Sequence, residues 1–288
     1  MSEKNRCLVF YHSADLDGHC SGAIVKYKYS DALMYPIDHG EPFPWSDITK
    51  EDTVYMTDFS LPIDDMVRLN ALCKEFIWLD HHKSSMDDYA NSDDYTIIHG
   101  RRIIGTAGCE ITWDWLFPNE EMPAGVRLLG RFDVWDHSGS STLPYQYGMK
   151  TLNTNPTEIH SDVVWEMIFN DDEELFKGVM SKGHAIIKYI RNLDKQKCNN
   201  CFETEIQGMK AIALNNSSPG NSLTFASVWD NTKYDLMIHF GRGNNGMWNI
   251  SFYTDKEGID VSVLAKSYKG GGHHQAAGCT LKELPFKI

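Results

Sequence analysis

The stretch FIWLDHH, residues 76–82, places an acid and two histidines directly after four apolar residues. An apolar run of this length is typical of a strand that is buried on both faces of a parallel sheet. Open α/β sheets bind their ligands at the carboxyl ends of such strands. The stretch therefore predicts that Asp80, His81 and His82 lie at the mouth of a crevice, where a histidine can ligate a metal ion.

Two earlier segments are organised in the same way. The apolar run at 7–11 leads into HSADLDG, residues 12–18, and the strand-like run at 53–57 is followed directly by Asp58. Because the carboxyl ends of parallel strands meet at one edge of a sheet, we expect the three tips to converge. The converging side chains would be those of His12, Asp15, Asp17, Asp58, Asp80, His81 and His82.

Helical patterns separate these strands and continue after them. Residues 21–29, the segment after Pro62 and residues 105–117 have apolar residues at helical spacing, and another strand is predicted at 33–37. This alternation indicates βαβ units in an α/β fold with a doubly wound, mostly parallel N-terminal sheet.

The pattern of predicted helices and strands changes after about residue 198. A long amphipathic helix at 175–193 would bridge to a smaller α/β unit with a helix near 259–268. The strands predicted for this unit are 209–214, 235–240 and 247–253. We therefore assign a catalytic domain to 1–170, a helical linker to 171–198 and a second domain to 199–288.

The composition restricts the partners of the protein. Lys and Arg number 27 against 40 Asp and Glu, a net charge of -13, which argues against binding of a long duplex through a broad basic face. No apolar run has membrane-spanning length, so we expect a cytoplasmic protein that does not bind membranes. Cys198 and Cys201 form a lone CxxC, which we interpret as two unpaired thiols rather than a zinc or redox site.

The segment GGGHHQAAG, residues 270–278, is a candidate anion site. Three consecutive glycines let backbone N–H groups approach a phosphate without obstruction by side chains, and the histidines add donors. The alternative interpretation is a flexible loop, but the residues after His274 resume an ordered-looking pattern.

The residues at the strand tips form a mixed set of carboxylate and imidazole ligands, which suits Mn²⁺ or Mg²⁺. One bridging carboxylate would hold two ions in the arrangement that serves phosphoryl hydrolysis. Each acid alone could instead cap a helix, and each histidine alone could be structural. The inference depends on their convergence.

These motifs resemble those of the DHH/DHHA1 phosphoesterase superfamily, and they span nearly the whole chain. The matching residues are His12-x-x-Asp15-x-Asp17-Gly18, Asp58, Asp80-His81-His82, Asp133 and the C-terminal segment 270–278. The resemblance implies an N-terminal DHH domain, a helical linker and a C-terminal DHHA1 domain that binds the substrate. It also implies two metal ions, usually Mn²⁺, with Mg²⁺ or Co²⁺ as substitutes.

The resemblance implies a role for each matched residue. Six would be metal ligands: His12 and Asp15 for one ion, Asp17, His81 and Asp133 for the other, and Asp58 as the bridge. Three more groups would serve the substrate: His82 at the scissile phosphate, Asp80 as its support, and Gly270, Gly271, Gly272 and His273 at another phosphate.

Two departures from the family pattern leave choices open. The family often has an arginine on a central strand of the DHHA1 domain, but residues 247–253 contain none, so Arg242, expected in a loop, is the candidate for that contact. Asp133 and Asp136 both fit the fourth motif. We prefer Asp133 because the family often shows Asp-x-(Leu/Val)-Trp-like spacing there.

The leading functional hypothesis follows from the short two-domain length, which resembles members that act on short substrates. It is a Mn²⁺-dependent phosphodiesterase that degrades oligoribonucleotides of a few residues, or linear dinucleotides, to 5′-nucleotides, with pAp as a further substrate. The alternatives are a cyclic-dinucleotide phosphodiesterase, a RecJ-type single-strand exonuclease and a non-catalytic nucleotide-binding protein. A homodimer is expected from the frequency of dimers among soluble proteins.

Overall fold

The computed structural model describes residues 5–92, 96–217 and 220–288. It divides into two compact units, the first ending at Ile187 and the second running from Lys188 to Ile288. The division falls within one long helix, Glu173–Lys197, so the helix predicted at 175–193 is confirmed. The proposed linker, 171–198, spans the same division. Among the helices in the described ranges, none is long and apolar enough to cross a membrane.

The first unit is built on a sheet of five parallel strands within the described residues. Their order across the sheet is β2-β1-β3-β4-β5, with every neighbouring pair parallel. The strands are β1 Cys7–His12, β2 Leu33–Ile37, β3 Thr53–Thr57, β4 Glu75–Asp80 and β5 His99–Arg102. The four apolar segments predicted as strands are thus confirmed. Strand β5 was missed because its sequence, HGRR, lacks an apolar pattern.

Helices cover both faces of this sheet. The helices of the first unit are α1 Leu16–Lys28, α2 Ile63–Leu72, α3 Lys83–Ala90, α4 Gly108–Leu116, α5 Ala124–Asp133, α6 Thr142–Met149, α7 Ser161–Phe169 and α8 Glu173–Lys197. Alternate residues of β1 enter different cores: Val9 and Tyr11 pack with α1, α4 and α5, whereas Leu8 and Phe10 pack with α2. The sheet is therefore doubly wound, as predicted.

Two helices differ from prediction at their beginnings. Helix α1 begins at Leu16, five residues before the predicted start, because the Asp15 side chain accepts a hydrogen bond from the Gly18 N–H and caps it. Helix α4 begins at Gly108 rather than near residue 105. Its aromatic face is core, since Trp113 is buried against Phe117.

The second unit contains a six-stranded mixed sheet in its described part, in the order β10-β11-β9-β8-β7-β6. The elements are β6 Phe202–Ile206, β7 Met209–Asn215, β8 Leu236–Arg242, β9 Trp248–Tyr253, α9 Val261–Ser267, β10 Gly271–Gly272 and β11 Ala276–Leu281. The three predicted strands and the helix are confirmed. The expectation that Arg242 lies in a loop was wrong, because it is the last residue of β8 and pairs with Trp248.

The CxxC cysteines are free thiols. Cys198 Sγ donates a hydrogen bond to the carbonyl of Thr224 at 3.1 Å, and burial raises the pKa of Cys201 to about 12. A raised pKa disfavours the thiolate that zinc binding and redox chemistry require. This supports the interpretation of the pair as structural.

Close packing of α8 against α6 depends on a glycine. A Cβ at Gly183 would collide with the carbonyl oxygen of Pro144, whereas a Cβ at Gly178, on the same helix, would meet no described atom within 4 Å. We expect Gly183→Ala to destabilise the protein by about 1–3 kcal/mol through overpacking. Gly178→Ala, the matched control, should stabilise it by about 0.5–1 kcal/mol. Denaturant unfolding of both variants tests this, and equal effects would contradict it.

Candidate metal centre

The strand order places a crevice between β1 and β3. Strands β1 and β3 are neighbours, but the helices that follow them, α1 and α2, pack on opposite faces of the sheet. Ligands of doubly wound sheets bind where the connections diverge in this way. His12 ends β1 and Asp58 follows β3 directly, so both lie at this point.

Asp58 occupies the middle of the candidate centre. It is 1% exposed and has a left-handed backbone, with φ of 53°, while its N–H donates to the carbonyl of Leu79 at 2.9 Å. Asp tolerates this conformation better than most residues. A Cβ at Gly108 would lie 2.6 Å from the Asp58 Cβ. The glycine at the start of α4 therefore leaves the space that the Asp58 side chain occupies.

One group of candidate ligands combines His12, Asp15 and Asp58, whose ligand atoms lie within 4.8 Å of one another. His12 Nδ1 is 3.5 Å from Asp15 Oδ2 and 3.7 Å from Asp58 Oδ2. Asp15 uses its other oxygen to cap α1, so the capping and ligand roles are compatible. Gly18 is required here because a Cβ would collide with the His12 backbone.

A second group combines Asp17, His81 and Asp133 within the same limit of 4.8 Å. His81 Nε2 is 3.3 Å from Asp133 Oδ2 and 3.8 Å from Asp17 Oδ2. The buried Asp17 carboxylate accepts hydrogen bonds from the N–H groups of Gly108 and Cys109, at 2.8 Å each. These are the first N–H groups of α4, whose dipole also stabilises a negative charge.

The two groups meet at Asp58. Its Oδ1 is 3.1 Å from His81 Nε2, while its Oδ2 faces His12. The structure thus brings together all six residues that the resemblance implied as metal ligands. The two oxygens of Asp58 thus face a histidine of each group.

His82 is held by Asp80. Asp80 is fully buried, and its Oδ1 accepts from the backbone N–H of His81 and contacts His82 Nδ1 at 2.7 Å. Its Oδ2 accepts from the Trp78 indole. His82 Nδ1 is also 3.9 Å from Asp58, so Asp58, His81 and His82 form a third possible ligand group. The contact with Asp80 favours a positioned imidazole over a third metal site, and this contact raises the pKa of His82.

The clustered charges of the candidate centre favour the binding of cations. Burial and repulsion from Asp17 raise the pKa of Asp58 well above its usual range, and the same causes raise that of Asp133 to about 9. The nearby carboxylates of Asp15 and Asp58 raise the pKa of His12 to about 10. His12 Nδ1 and Asp58 Oδ1 are buried without a hydrogen-bond partner in the described chain. Clustered carboxylates with unsatisfied buried ligand atoms fit divalent cations.

The geometry favours Asp133 over Asp136 as the fourth-motif ligand. Asp133 is the last residue of α5 and lies beside His81. Asp136 is 42% exposed, and its carboxylate instead accepts hydrogen bonds from the backbone and hydroxyl of Ser138.

Sequence reasoning missed two residues at the same edge of the sheet. Asp38 Oδ1 is 3.7 Å from His12 Nε2, the ring nitrogen that points away from the ligand group, and carboxylates in this position orient metal-binding histidines. The exposed ring of His39 packs on Phe59, with centroids 4.7 Å apart. Both residues directly follow β2. The rule applied to the other strand tips would have found them.

The glycine-rich segment of the second unit is a hairpin. Gly271 and Gly272 form β10, and the N–H of His273 donates to the carbonyl of Ala276 across the turn. A Cβ at Gly270 would collide with the facing strand, and Gly272 has φ of 136°, so the hairpin itself requires two of the three glycines. His273 and Gly271 are exposed. Phosphate binding here remains a proposal.

Comparisons with known proteins agree with these observations. Residues 207–287 match the model of the DHHA1 domain. The chain is 26% identical to an uncharacterized protein of Acanthamoeba polyphaga mimivirus, over 97% of this chain and 69% of that protein. It is 21% identical to oligoribonuclease NrnB of Bacillus subtilis, over 83% of this chain and 62% of that protein, so less than two thirds of the bacterial protein is matched.

A solved structure has the same fold. The pGpG-specific phosphodiesterase PggH of Vibrio cholerae superposes with a TM-score of 0.54 at 14% identity, over 96% of this chain and 93% of that chain.

Binding of Mn²⁺ should release protons near neutral pH. Asp133, with a pKa of about 9, and His12, with a pKa of about 10, carry protons there in the metal-free protein. Ligation requires the carboxylate and the neutral imidazole, so we expect release of about one or two protons and an affinity that rises as the pH approaches 9. Calorimetry in buffers of different ionisation enthalpy measures the release. Identical heats in all buffers would contradict the expectation, and Asp133→Asn should reduce the release.

Gly108→Ala should damage the centre without unfolding the protein. The added methyl group would displace the Asp58 carboxylate, so we expect Mn²⁺ affinity to fall about 10- to 100-fold, as for loss of groups that orient ligands. Gly178→Ala is the control, because it has the same chemical change in open space. Unchanged Mn²⁺ affinity in a folded Gly108→Ala protein would show that Asp58 does not need this space.

Proposed function

We propose that the chain, whose residues 207–287 match the DHHA1 domain, is a divalent-metal-dependent phosphodiesterase of the DHH/DHHA1 superfamily. It would act on short oligoribonucleotides or linear dinucleotides and release 5′-nucleotides. The observation that carries the proposal is the position of Asp58 at the crevice between β1 and β3, where it belongs to one ligand group and lies 3.1 Å from His81 of the other. The similarity to oligoribonuclease NrnB supports the substrate class.

Two ions would be held by the six residues of the ligand groups, with Asp58 between them. Such a pair supplies Lewis-acid polarisation of a phosphate oxygen and a water of lowered pKa. The mixture of four carboxylates and two imidazoles suits Mn²⁺, and Mg²⁺ would be a substitute. The N–H groups of Gly108 and Cys109 hold Asp17 in place before any ion binds.

His82 would act on the scissile phosphate. Because Nδ1 contacts Asp80, Nε2 is the nitrogen that remains to meet a substrate oxygen. The contact with Asp80 raises the pKa of His82 and so favours the protonated form, which donates a charge-assisted hydrogen bond to a phosphate oxygen. The side chain is 38% exposed and is therefore accessible from solvent.

The second unit would bind another part of the substrate. We assign this role to the exposed His273 and the neighbouring backbone of Gly270, Gly271 and Gly272, with Arg242 as a further cation. His273 follows the edge strand β10, and Arg242 ends β8. The net charge of -13 accords with a short substrate, because a long duplex would need an extended basic surface.

The proposal is tested by incubation with Mn²⁺ and labelled substrates. RNA dimers, longer oligomers, linear and cyclic dinucleotides, pAp and long duplex RNA form the series. We expect turnover of the dimers and short oligomers to 5′-nucleotides, and none of the duplex. Absence of turnover on every short substrate would overturn the proposal. Turnover of the cyclic dinucleotides alone would indicate the cyclic-dinucleotide alternative.

Asp58→Asn should abolish this activity with little change in fold. Two metal ions contribute several kcal/mol to transition-state stabilisation, so we expect kcat to fall about 10³-fold or more. Asp136→Asn is the matched control, because that exposed carboxylate lies outside both ligand groups. Equal activities of the two variants would show that Asp58 has no part in the reaction.

A further inference from the structure

The C-terminal end of helix α5 has an aromatic residue at a backbone position that glycine usually occupies. The N–H of Asp136 donates to the carbonyl of Arg131 at 2.7 Å, and the N–H of Trp135 donates to that of Phe132 at 3.1 Å. This pair of hydrogen bonds is a Schellman motif, in which the left-handed residue is normally glycine. Here that residue is Trp135, with φ of 61°.

A bulky side chain at this position is disfavoured by the local backbone, since left-handed conformations bring Cβ close to the backbone. Glycine would close the same helix more easily. Strained residues of this kind concentrate at functional sites. The helix end therefore does not explain the tryptophan.

The Trp135 side chain is exposed and yet well supported. It is 43% exposed, and its ring lies 4.3 Å from that of His137, which in turn stacks on Phe132 at 5.4 Å with an interplanar angle of 25°. Asp136 accepts hydrogen bonds from the backbone and hydroxyl of Ser138, so the turn after the helix is also held. The result is a cluster of three rings whose outer member is open to solvent.

This cluster lies close in the chain to a candidate metal ligand. Asp133, two residues before Trp135, is the last residue of α5 and lies 3.3 Å from His81. A nucleotide bound by its phosphate at the centre carries its base on the neighbouring ribose. Bases stack on aromatic side chains with little sequence preference, because every base has a π face.

We propose that Trp135 is the stacking surface for the base of the nucleotide whose phosphate ester is cleaved. The inference rests on the proposed function and adds to it a specificity determinant: the enzyme would distinguish substrates with a base from phosphodiesters without one. It would show little preference among bases. His137 and Phe132 are positioning residues that hold the tryptophan ring.

The test compares a dinucleotide with its abasic analogue on Trp135→Gly and Trp135→Phe. For Trp135→Gly we expect the KM for the dinucleotide to rise about 5- to 150-fold. The KM for the abasic analogue should stay unchanged, and the Tm should be equal or higher because glycine suits the helix end. Trp135→Phe should retain most of the affinity. Tyr189→Ala, which removes an aromatic ring that is 64% exposed on α8, is the control.

Three outcomes would overturn the inference. An equal rise of KM on both substrates would mean that the turn acts through Asp133, and no change on either would mean that the ring makes no contact. A change of oligomeric state by light scattering, without dependence on the base, would make Trp135 a contact between copies of this chain. If the wild-type protein hydrolyses neither substrate, the proposed function fails. The fluorescence of a bound 2-aminopurine dinucleotide then still tests stacking.

Discussion

The burial of the Asp58 carboxylate among other acids is the interaction on which the first unit depends. A carboxylate that is 1% exposed and repelled by Asp17 is unfavourable as an anion, and its raised pKa expresses that. The fold nevertheless holds it at the point where the connections of β1 and β3 diverge, with a left-handed backbone. Such an arrangement is stable as a set of anions only when cations are present. The centre is therefore organised for metal ions rather than for the stability of the polypeptide alone.

Three of the candidate ligands are each held by a different feature of a helix end. Asp15 caps α1, the first N–H groups of α4 hold Asp17, and Asp133 ends α5. Glycines at 18 and 108 allow the close approaches, because a Cβ at either would collide with His12 or Asp58. Rigid elements position such sites more accurately than loops do. Trp135 follows Asp133 by two residues at the end of α5, so catalysis and recognition of the base would share one helix end.

The second unit contributes chemistry of another kind. Its glycine-rich segment forms the edge hairpin of a mixed sheet, and sterics across the hairpin explain Gly270 and Gly272. The exposed Gly271 and His273 are the groups left for a ligand. The division of the chain at Ile187 accordingly separates a metal-binding unit from a unit without a comparable cluster of ligands in its described residues.

Much of this could be read from the sequence, because burial on both faces of a parallel sheet leaves a continuous apolar run, and such runs predicted β1, β3 and β4 with their polar tips. The βαβ order then implied convergence of the tips at one edge. Strand β5 was not predictable, since the HGRR sequence lacks an apolar pattern and is a strand only through its pairing with β4. Strand β6 pairs with β7, and its FETEI sequence alternates Phe202, Thr204 and Ile206 with two acids, a strand pattern that was missed. The glycine-rich segment was likewise interpreted by composition, and only strand pairing showed it to be a hairpin.

The choice between Asp133 and Asp136 as a candidate ligand also required the tertiary structure. Asp133 and Asp136 are equivalent in a linear motif, and only the end of α5 turns one towards His81 and the other towards Ser138. Asp38 follows a predicted strand, β2, but its approach to His12 depends on the pairing of β2 with β1. The sequence alone thus determined which chemical groups the protein has and which strands carry them. The tertiary structure decided which groups meet, because distances between strand tips depend on the pairing of segments far apart in the chain.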